Sequence, residues 1–439
     1  MFTRRQLLEA AAVAGAGAVT FGADAAAAPK GFVTVRDGHF MLDGKPYRFA
    51  GTNVWYAAYL GMTADGQARL KQELDTLLAL GVTNLCILGA AEISPLKNSM
   101  RPAIQDGAGH YDETILAGLD FALAEIGRRG MKAVVFLNNF WEWSGGMVTY
   151  QYWTNGGHYI DLGDPNHPWP EFADYSAQFY KSAAANARYR AYIAALIRRR
   201  NTVTGRIYRD DPAIMAWQLA NEPRPGGSVE KTDMKAFFAW TDSTAGYIKS
   251  LDTHHLVSTG NEGVMGCLES EGCVAGSTGS RYVDYLTFHI WPLNWGWINP
   301  ADMEKSFAPG TEKVRRYVET HLRLAANLKK PAVCEEFGFP RDGGSNDPKV
   351  GTVWRDRYYT MLYGLFEENA QGNGAFGGSN FWAWGGAGRA QHADYNWQPG
   401  DTSYVGDPAQ EPQGRNSVFD RDMATIDIIR RHAAALAAL

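Results

Sequence analysis

The chain has 439 residues, is 45% hydrophobic and 20% charged, and carries a formal net charge of -5 with no basic tract. That is ordinary globular composition, long enough for a large core, and it argues against nucleic acid as the main partner. Aromatic residues make up 13%, with 14 Trp and 21 Tyr; such an excess suits either an aromatic-rich core or a cleft that stacks on sugar rings, whose apolar C–H faces lie between polar edges, and the several tryptophans that follow strand-like runs favour the cleft.

Thr3-Arg-Arg-Gln-Leu-Leu8 is a twin-arginine pattern. A weakly apolar stretch from Ala10 to Phe21 follows, then the small-residue segment Ala23-Asp-Ala-Ala-Ala-Ala28. Residues 1–28 therefore read as a signal peptide. The expected mature protein is exported by the twin-arginine route to the periplasm or outside the cell. No later run is long and apolar enough to span a membrane.

From Phe32 to Arg48, apolar and polar residues alternate around Asp37-Gly38 and Asp43-Gly44, which are hairpin signals. Short apolar runs then recur at 49–54, 82–88, 132–137, 213–219, 256–259, 285–290, 332–334 and 376–382. Between most of them lie stretches with helical spacing, at 66–80, 112–129, 172–199, 232–251, 311–328 and 353–369, with a last one at 423–439. Eight strands with intervening helices predict an α/β fold, a (β/α)8 barrel with a short N-terminal hairpin cap and long loops at its C-terminal face. The fifth connection is not clearly helical. An open doubly wound sheet would show a Gly-rich phosphate loop after its first strand, and Gly51-Thr-Asn-Val-Trp55 is not one. Residues 29–439 read as one catalytic domain.

In such barrels functional residues sit at the C-terminal ends of strands, and the unusual residues fall there. Asn53 and Trp55 end the first strand; Asn138, Asn139, Trp141 and Trp143 follow the third. Asn221 and Glu222 follow the fourth, and Glu262 the fifth. His289 and Trp291 end the sixth, with Trp295 and Trp297 beyond, and Trp382 and Trp384 end the eighth. Two segments, Trp217-Gln-Leu-Ala-Asn-Glu-Pro-Arg224 and Lys330-Pro-Ala-Val-Cys-Glu-Glu-Phe-Gly338, each bring a carboxylate to a strand end. Paired carboxylates are what glycosidic bond cleavage needs, one to donate a proton and one to attack or activate water. Glu335 and Glu336 cannot both enter a cleft if side chains alternate along the strand, so Glu335 is expected to face the helix layer or a neighbouring loop. Cys267 and Cys273, close together in a polar, Gly-rich stretch, are expected to form a loop disulfide in an exported protein. Cys86 and Cys334 lie in apolar runs as buried thiols. No Cys/His spacing suggests a structural metal site.

These motifs together resemble glycoside hydrolase family 5, and within it the endo-β-1,4-mannanases. The matching segments are Phe49-Ala-Gly-Thr-Asn-Val-Trp55, Leu137-Asn-Asn-Phe-Trp-Glu-Trp-Ser-Gly-Gly146, the two carboxylate segments, Thr287-Phe-His-Ile-Trp-Pro292 and Asn380-Phe-Trp-Ala-Trp384. The late segment Glu411-Pro-Gln-Gly-Arg-Asn-Ser-Val-Phe419 is similar to bacterial members. The resemblance implies Glu222 as acid/base and Glu336 as nucleophile. It also implies Asn221 on the sugar 2-hydroxyl, His289 holding the acid/base site and Trp382 as a platform under the sugar. Two positions depart from the family pattern. The usual second-strand arginine that supports the nucleophile is Cys86, and the usual tyrosine two residues after the sixth-strand histidine is Trp291.

The expected function is that of an exported, retaining, monomeric hydrolase of β-1,4-mannosidic bonds in mannan, glucomannan or galactomannan, with no metal or organic cofactor. Substrate contacts are expected from Asn53, Trp55, Asn139, Trp141, Trp143, Asn221, Glu262, His289, Trp291, Trp295 and Trp382. An exo-β-mannosidase, a transglycosylase or a β-glucanase would use the same scaffold, and loops closing one end of the cleft would favour exo action. Loss of the arginine motivates a further alternative, a non-catalytic carbohydrate-binding homologue.

Overall fold

The computed structural model describes residues 30–439; the expected signal peptide at 1–28 lies outside the described residues. Eight parallel strands form the barrel. They are β1 (Phe49–Asn53), β2 (Val82–Leu88), β3 (Lys132–Phe136), β4 (Ile214–Gln218), β5 (Leu256–Ser258), β6 (Leu286–Ile290), β7 (Ala332–Phe337) and β8 (Phe376–Phe381). They are hydrogen-bonded in the order β5-β4-β3-β2-β1-β8-β7-β6. Between β5 and β6 the one described β-bridge joins Ser258 to Tyr285, so the barrel is nearly but not evenly closed.

The helices pack an apolar stripe against this sheet. In Ala64–Ala79 the buried residues Leu70, Glu73, Leu74 and Leu77 repeat at helical spacing. Side-chain caps fix several starts: Thr63 accepts from the Gly66 N–H, Asp112 from Thr114 and Ile115, and Asp233 from Ala236. At the N-terminal end of the barrel the ribbon Val33–Arg36, His39–Leu42 and Lys45–Pro46 forms the expected cap. Its turns put Asp37, Gly38, Asp43 and Gly44 at positive φ, the geometry that Asp-Gly favours. Phe40 of this ribbon lies against Phe49 and Tyr285 at 6.3 and 5.3 Å between ring centroids.

Three segments differ from the sequence reading. The expected helix at 172–199 is broken into Glu171–Ser176, a 3-10 turn Ala177–Lys181 and Ala183–Ile197, because Ser182 caps a new start by accepting from the Ala185 N–H. The helix expected at 311–328 begins at Met303 and runs through Pro309, which removes one backbone donor on an exposed turn without ending the helix. The fifth connection does hold a helix, the short Glu271–Thr278.

One irregularity matters for the site. In the β6–β7 ladder Cys334 faces Phe288 and Glu336 faces His289, leaving Glu335 as an extra residue in a bulge. Strict alternation therefore fails there. Glu335 does not reach the helix layer or a loop; it points into the barrel beneath the cleft. Its carboxyl accepts from the Tyr285 hydroxyl at 3.1 Å and lies 2.8 Å from the Gln218 amide nitrogen when that amide is oriented toward it. Burial pushes Glu335 up to about 8, so it is a neutral acid at pH 7.

Candidate active site

A cleft of ≈ 650 Å³ opens at the C-terminal ends of the strands. Glu222 and Glu336 meet on its floor with His289 between them. His289 Nδ1 lies 2.7 Å from Glu222 Oε1 and 3.2 Å from Glu336 Oε2. Among the described residues these are the one group of three His, Cys, Asp or Glu whose ligand atoms all lie within 4.8 Å of one another. The two carboxylates push His289 well above its ordinary range despite its burial, so the imidazole is held protonated. A divalent cation could sit among the three only by displacing that proton.

The local chain is shaped to bring these groups together. Glu222 adopts a left-handed backbone at φ 48°, a conformation that a non-glycine residue keeps only when its surroundings hold it. Its N–H donates to the Gly260 carbonyl at 2.9 Å, and Gly260 passes so close that a Cβ there would collide with the Ala220 carbonyl. His289 is set by its own N–H, which donates to the Glu262 carbonyl at 3.0 Å.

The electrostatics of the pair are joint. Burial pushes Glu222 up, but the hydrogen bond and charge of His289, then Arg224 and the Trp141 indole N–H at 2.6 Å, leave it below the ordinary carboxylate range. Burial raises Glu336, and the Glu222 charge adds to it; His289 and the Trp291 indole N–H only partly offset this. Trp291 thus brings an indole N–H toward Glu336 where the family pattern has a phenol. Cys86 stands inside the barrel within reach of the charges of Glu335 and Glu336, and burial keeps its thiol neutral. The positive charge that faces Glu336 is carried by His289.

The other predicted residues divide into two sets. Trp141, Trp143, Asn221, Glu262, Trp291, Trp295 and Trp382 line the cleft with the pair. Asn53, Trp55 and Asn139 are not among the cleft-lining residues and are buried beside it, with part of their polar groups bonded to the protein. Asn53 donates to the Glu335 carbonyl at 2.8 Å, and the Trp55 indole to the Gly406 carbonyl at 2.8 Å. The Asn139 side chain accepts from the Trp141 N–H at 3.1 Å and donates to Ser144 at 3.2 Å, so it shapes the loop that carries Trp141. Glu262 accepts from Arg224 and from the Trp295 indole at 3.1 Å, and burial raises it to about 7. Cys267 and Cys273 are joined, with Cα atoms 5.7 Å apart, beside the cleft-lining Met265 and Leu268. Cys86 and Cys334 are free and buried.

Sequence reasoning missed one wall. Gln410 and Glu411, from the long loop after β8, line the cleft beside Trp382. The loop is anchored by Asp407, whose carboxylate accepts from the backbone N–H groups of Gly414 and Asn416 at 2.8 and 2.7 Å. Tyr404 of the same loop packs on Trp55 and Tyr59 at 6.0 and 5.3 Å, covering the ends of β1 and its following helix. Among the described residues, none from the loops after β1 and β2 lines the cleft. Tyr404 covers that side, while the exposed lining residues Trp169 and Val229 come from the loops after β3 and β4.

Residues 30–439 match the family described as GH family 5 beta-mannosidase-like. A crystal structure of a glycoside hydrolase family 5 mannosidase from Rhizomucor miehei superposes with a TM-score of 0.84 at 32% identity, covering 93% of this chain and 98% of that one. An endo-1,4-beta-mannanase from the same organism shares the fold, with a TM-score of 0.67 at 23% identity over 93% of this chain and 100% of that one. A putative mannan endo-1,4-beta-mannosidase 4 of Arabidopsis thaliana is 30% identical over 81% of this chain and 84% of its own length. With its barrel, its paired glutamates and these relatives, the chain belongs to glycoside hydrolase family 5.

Proposed function

We propose that this protein is a retaining β-mannoside hydrolase that removes mannosyl units from the non-reducing ends of mannan-type chains. The observation that carries this reading is the one-sided cleft. Glu336, Trp382, Gln410 and Glu411 line it on the β7–β8 side, where this reading puts one sugar; Glu222, Arg224 and Trp141 line it toward the exposed Trp169 and Val229, where this reading has the leaving group depart. Glu222 protonates the glycosidic oxygen and Glu336 attacks the anomeric carbon, giving a glycosyl ester. Glu222 then takes a proton from the water that releases the sugar. A closest approach within 4.8 Å supports retention, since inversion needs carboxyls about 6.5–9.5 Å apart to admit a water.

The first step requires the proton on Glu222 and the anion on Glu336. His289 Nδ1 lies against both carboxyls and couples their titration. A sugar placed with its anomeric carbon against Glu336 favours the anion there and the proton on Glu222. Trp382 lies under that sugar, and Asn221 is placed beside it for the 2-hydroxyl.

Digestion of mannohexaose tests the reading. The expected first products are mannose and mannopentaose, with mannose released as the β-anomer by NMR. Mannobiose, mannotriose and mannotetraose from the outset would show internal cutting, as in the mannanases that the motifs resemble. Binding without any cleavage would favour the carbohydrate-binding alternative.

A further inference from the structure

The open end of the cleft is lined by apolar side chains. Leu162 and Trp169 come from the loop after β3, Val229 from the loop after β4, and Met265 and Leu268 from the disulfide-closed loop after β5. Val229 is 70% exposed and Trp169 52%, so this lip faces the solvent that a leaving group enters. Arg224 and Glu262 in its floor are already paired with each other, and Glu269 stands exposed at the rim. Arg224 donates to Glu262 and lies over the rings of Trp141 and Trp169, at 5.0 and 5.6 Å. The other Glu262 oxygen accepts from Trp295.

The lip is also held in an unfavourable backbone. Leu268 and Glu269 are consecutive left-handed residues, at φ 54° and 57°, a conformation that L-residues other than Asn, Asp and Gly seldom adopt. The turn is kept by the Glu269 N–H, which donates to the Val264 carbonyl at 2.7 Å, and by the neighbouring Cys267–Cys273 bond. It places a leucine side chain on the cleft wall.

Resting on the assignment of this end to the leaving group, we infer that the protein cleaves β-mannosides whose aglycone is an apolar or aromatic alcohol. The C1–O bond to the alcohol breaks, the Glu222 proton goes to the departing oxygen, and water supplies the hydroxyl to C1 and returns a proton to Glu222. Recognition of the alcohol is by apolar burial along the lip.

Methyl and n-octyl β-mannoside, the latter kept below its micellar concentration, make a matched pair. Their alcohols have similar acidity, so proton donation demands the same of Glu222 and the difference reports the lip. The expected kcat/KM for the octyl glycoside is at least tenfold higher, mainly through KM, and the ratio collapses toward one in a Trp169→Ala, Leu268→Ser double variant. If that variant does not fold, Val229→Ser, at an exposed position, lowers the same ratio. Equal rates in the unaltered protein, or an octyl preference that survives these substitutions, would overturn the inference while mannobiose cleavage leaves the hydrolase reading standing. If methyl and octyl β-mannoside and mannobiose all remain intact, both fall.

Discussion

Glu335 and Glu336 are chain neighbours with opposite tasks: one is a neutral acid hydrogen-bonded inside the barrel, the other opens onto the cleft. Replacing Glu336 by Ala is expected to abolish turnover with the fold intact by circular dichroism. Glu335→Ala would instead remove a packing and hydrogen-bonding partner, and its loss is expected chiefly in melting temperature. Glu222→Ala is expected to cost ~10²–10⁴-fold on polysaccharide, whose leaving group needs a proton, and much less on an activated aryl mannoside. Equal losses on both would remove the acid role. Cys86 offers a sharper test, because its thiol sits beside both glutamates where the family pattern has an arginine. A guanidinium there would favour the ionised form of Glu336, so the acidic limb of the kcat/KM profile in Cys86→Arg is expected to move down by about 1–3 pH units. A folded variant with an unchanged profile would show that position 86 does not act on the nucleophile. An unfolded one would show that the barrel has no room for the charge.

Two loops, rather than the barrel itself, decide what enters the site. The loop after β8 is held by Asp407, and hydrogen bonds to a buried carboxylate are worth about 1.5–3 kcal/mol each. Asp407→Ala is therefore expected to loosen the wall at Gln410 and Glu411. Mannohexaose digestion would read this as a shift from mannose toward longer first products. The loop after β5 is closed by Cys267–Cys273, a crosslink of a size expected to contribute about 2 kcal/mol. Intact mass without reductant is expected to show two hydrogens fewer than the reduced chain, with Cys86 and Cys334 alkylated only after unfolding.

The strands were legible because each is a short apolar run bounded by polar residues, and Val82–Leu88 was read to the residue. The meeting of Glu222 and Glu336 was legible because each lies at or just beyond the C-terminal end of a strand, the rim where such barrels gather polar groups. Trp55 was not. It also follows a strand end, but its indole is drawn sideways by the Gly406 carbonyl, far along the chain. Glu335 escaped because a bulge is a property of two strands together, and Leu268 because nothing in its neighbourhood announces a left-handed leucine.

At the scale of the molecule, several buried carboxyls make stability depend on pH. Burial raises Glu92 and Glu335 to about 8 and Glu142 to about 7. The folded protein holds these protons above the unfolded value of 4.5, so their contribution is full below that pH and is lost as pH rises through 7 to 8. Neutral His321, lowered by burial to about 4 from 6.5, acts the other way, gaining stability as pH rises through that window, and is spent by 6.5. The melting temperature is therefore expected to fall between about pH 6.5 and 8.5, and Glu335→Gln to flatten the slope. A melting temperature that rises across that range would contradict the assignment of neutral buried acids.

Along one edge the barrel is a rolled sheet held by the bridge between Ser258 and Tyr285 and by the neighbouring Asp284 N–H, which donates to the Val257 carbonyl at 2.8 Å. Above that bridge the edge is sewn by the loop after β5: the Asn261 carbonyl accepts from the Thr287 hydroxyl at 2.9 Å, and the Glu262 carbonyl from the His289 N–H. His289, whose ring lies against both glutamates, thus hangs on a sparsely paired edge of the fold. Heating frees such edges before it melts a whole sheet. Catalysis is accordingly expected to fade several degrees before circular dichroism records unfolding, with amide exchange appearing first along 256–262 and 285–290, so that the enzyme falls silent while still folded.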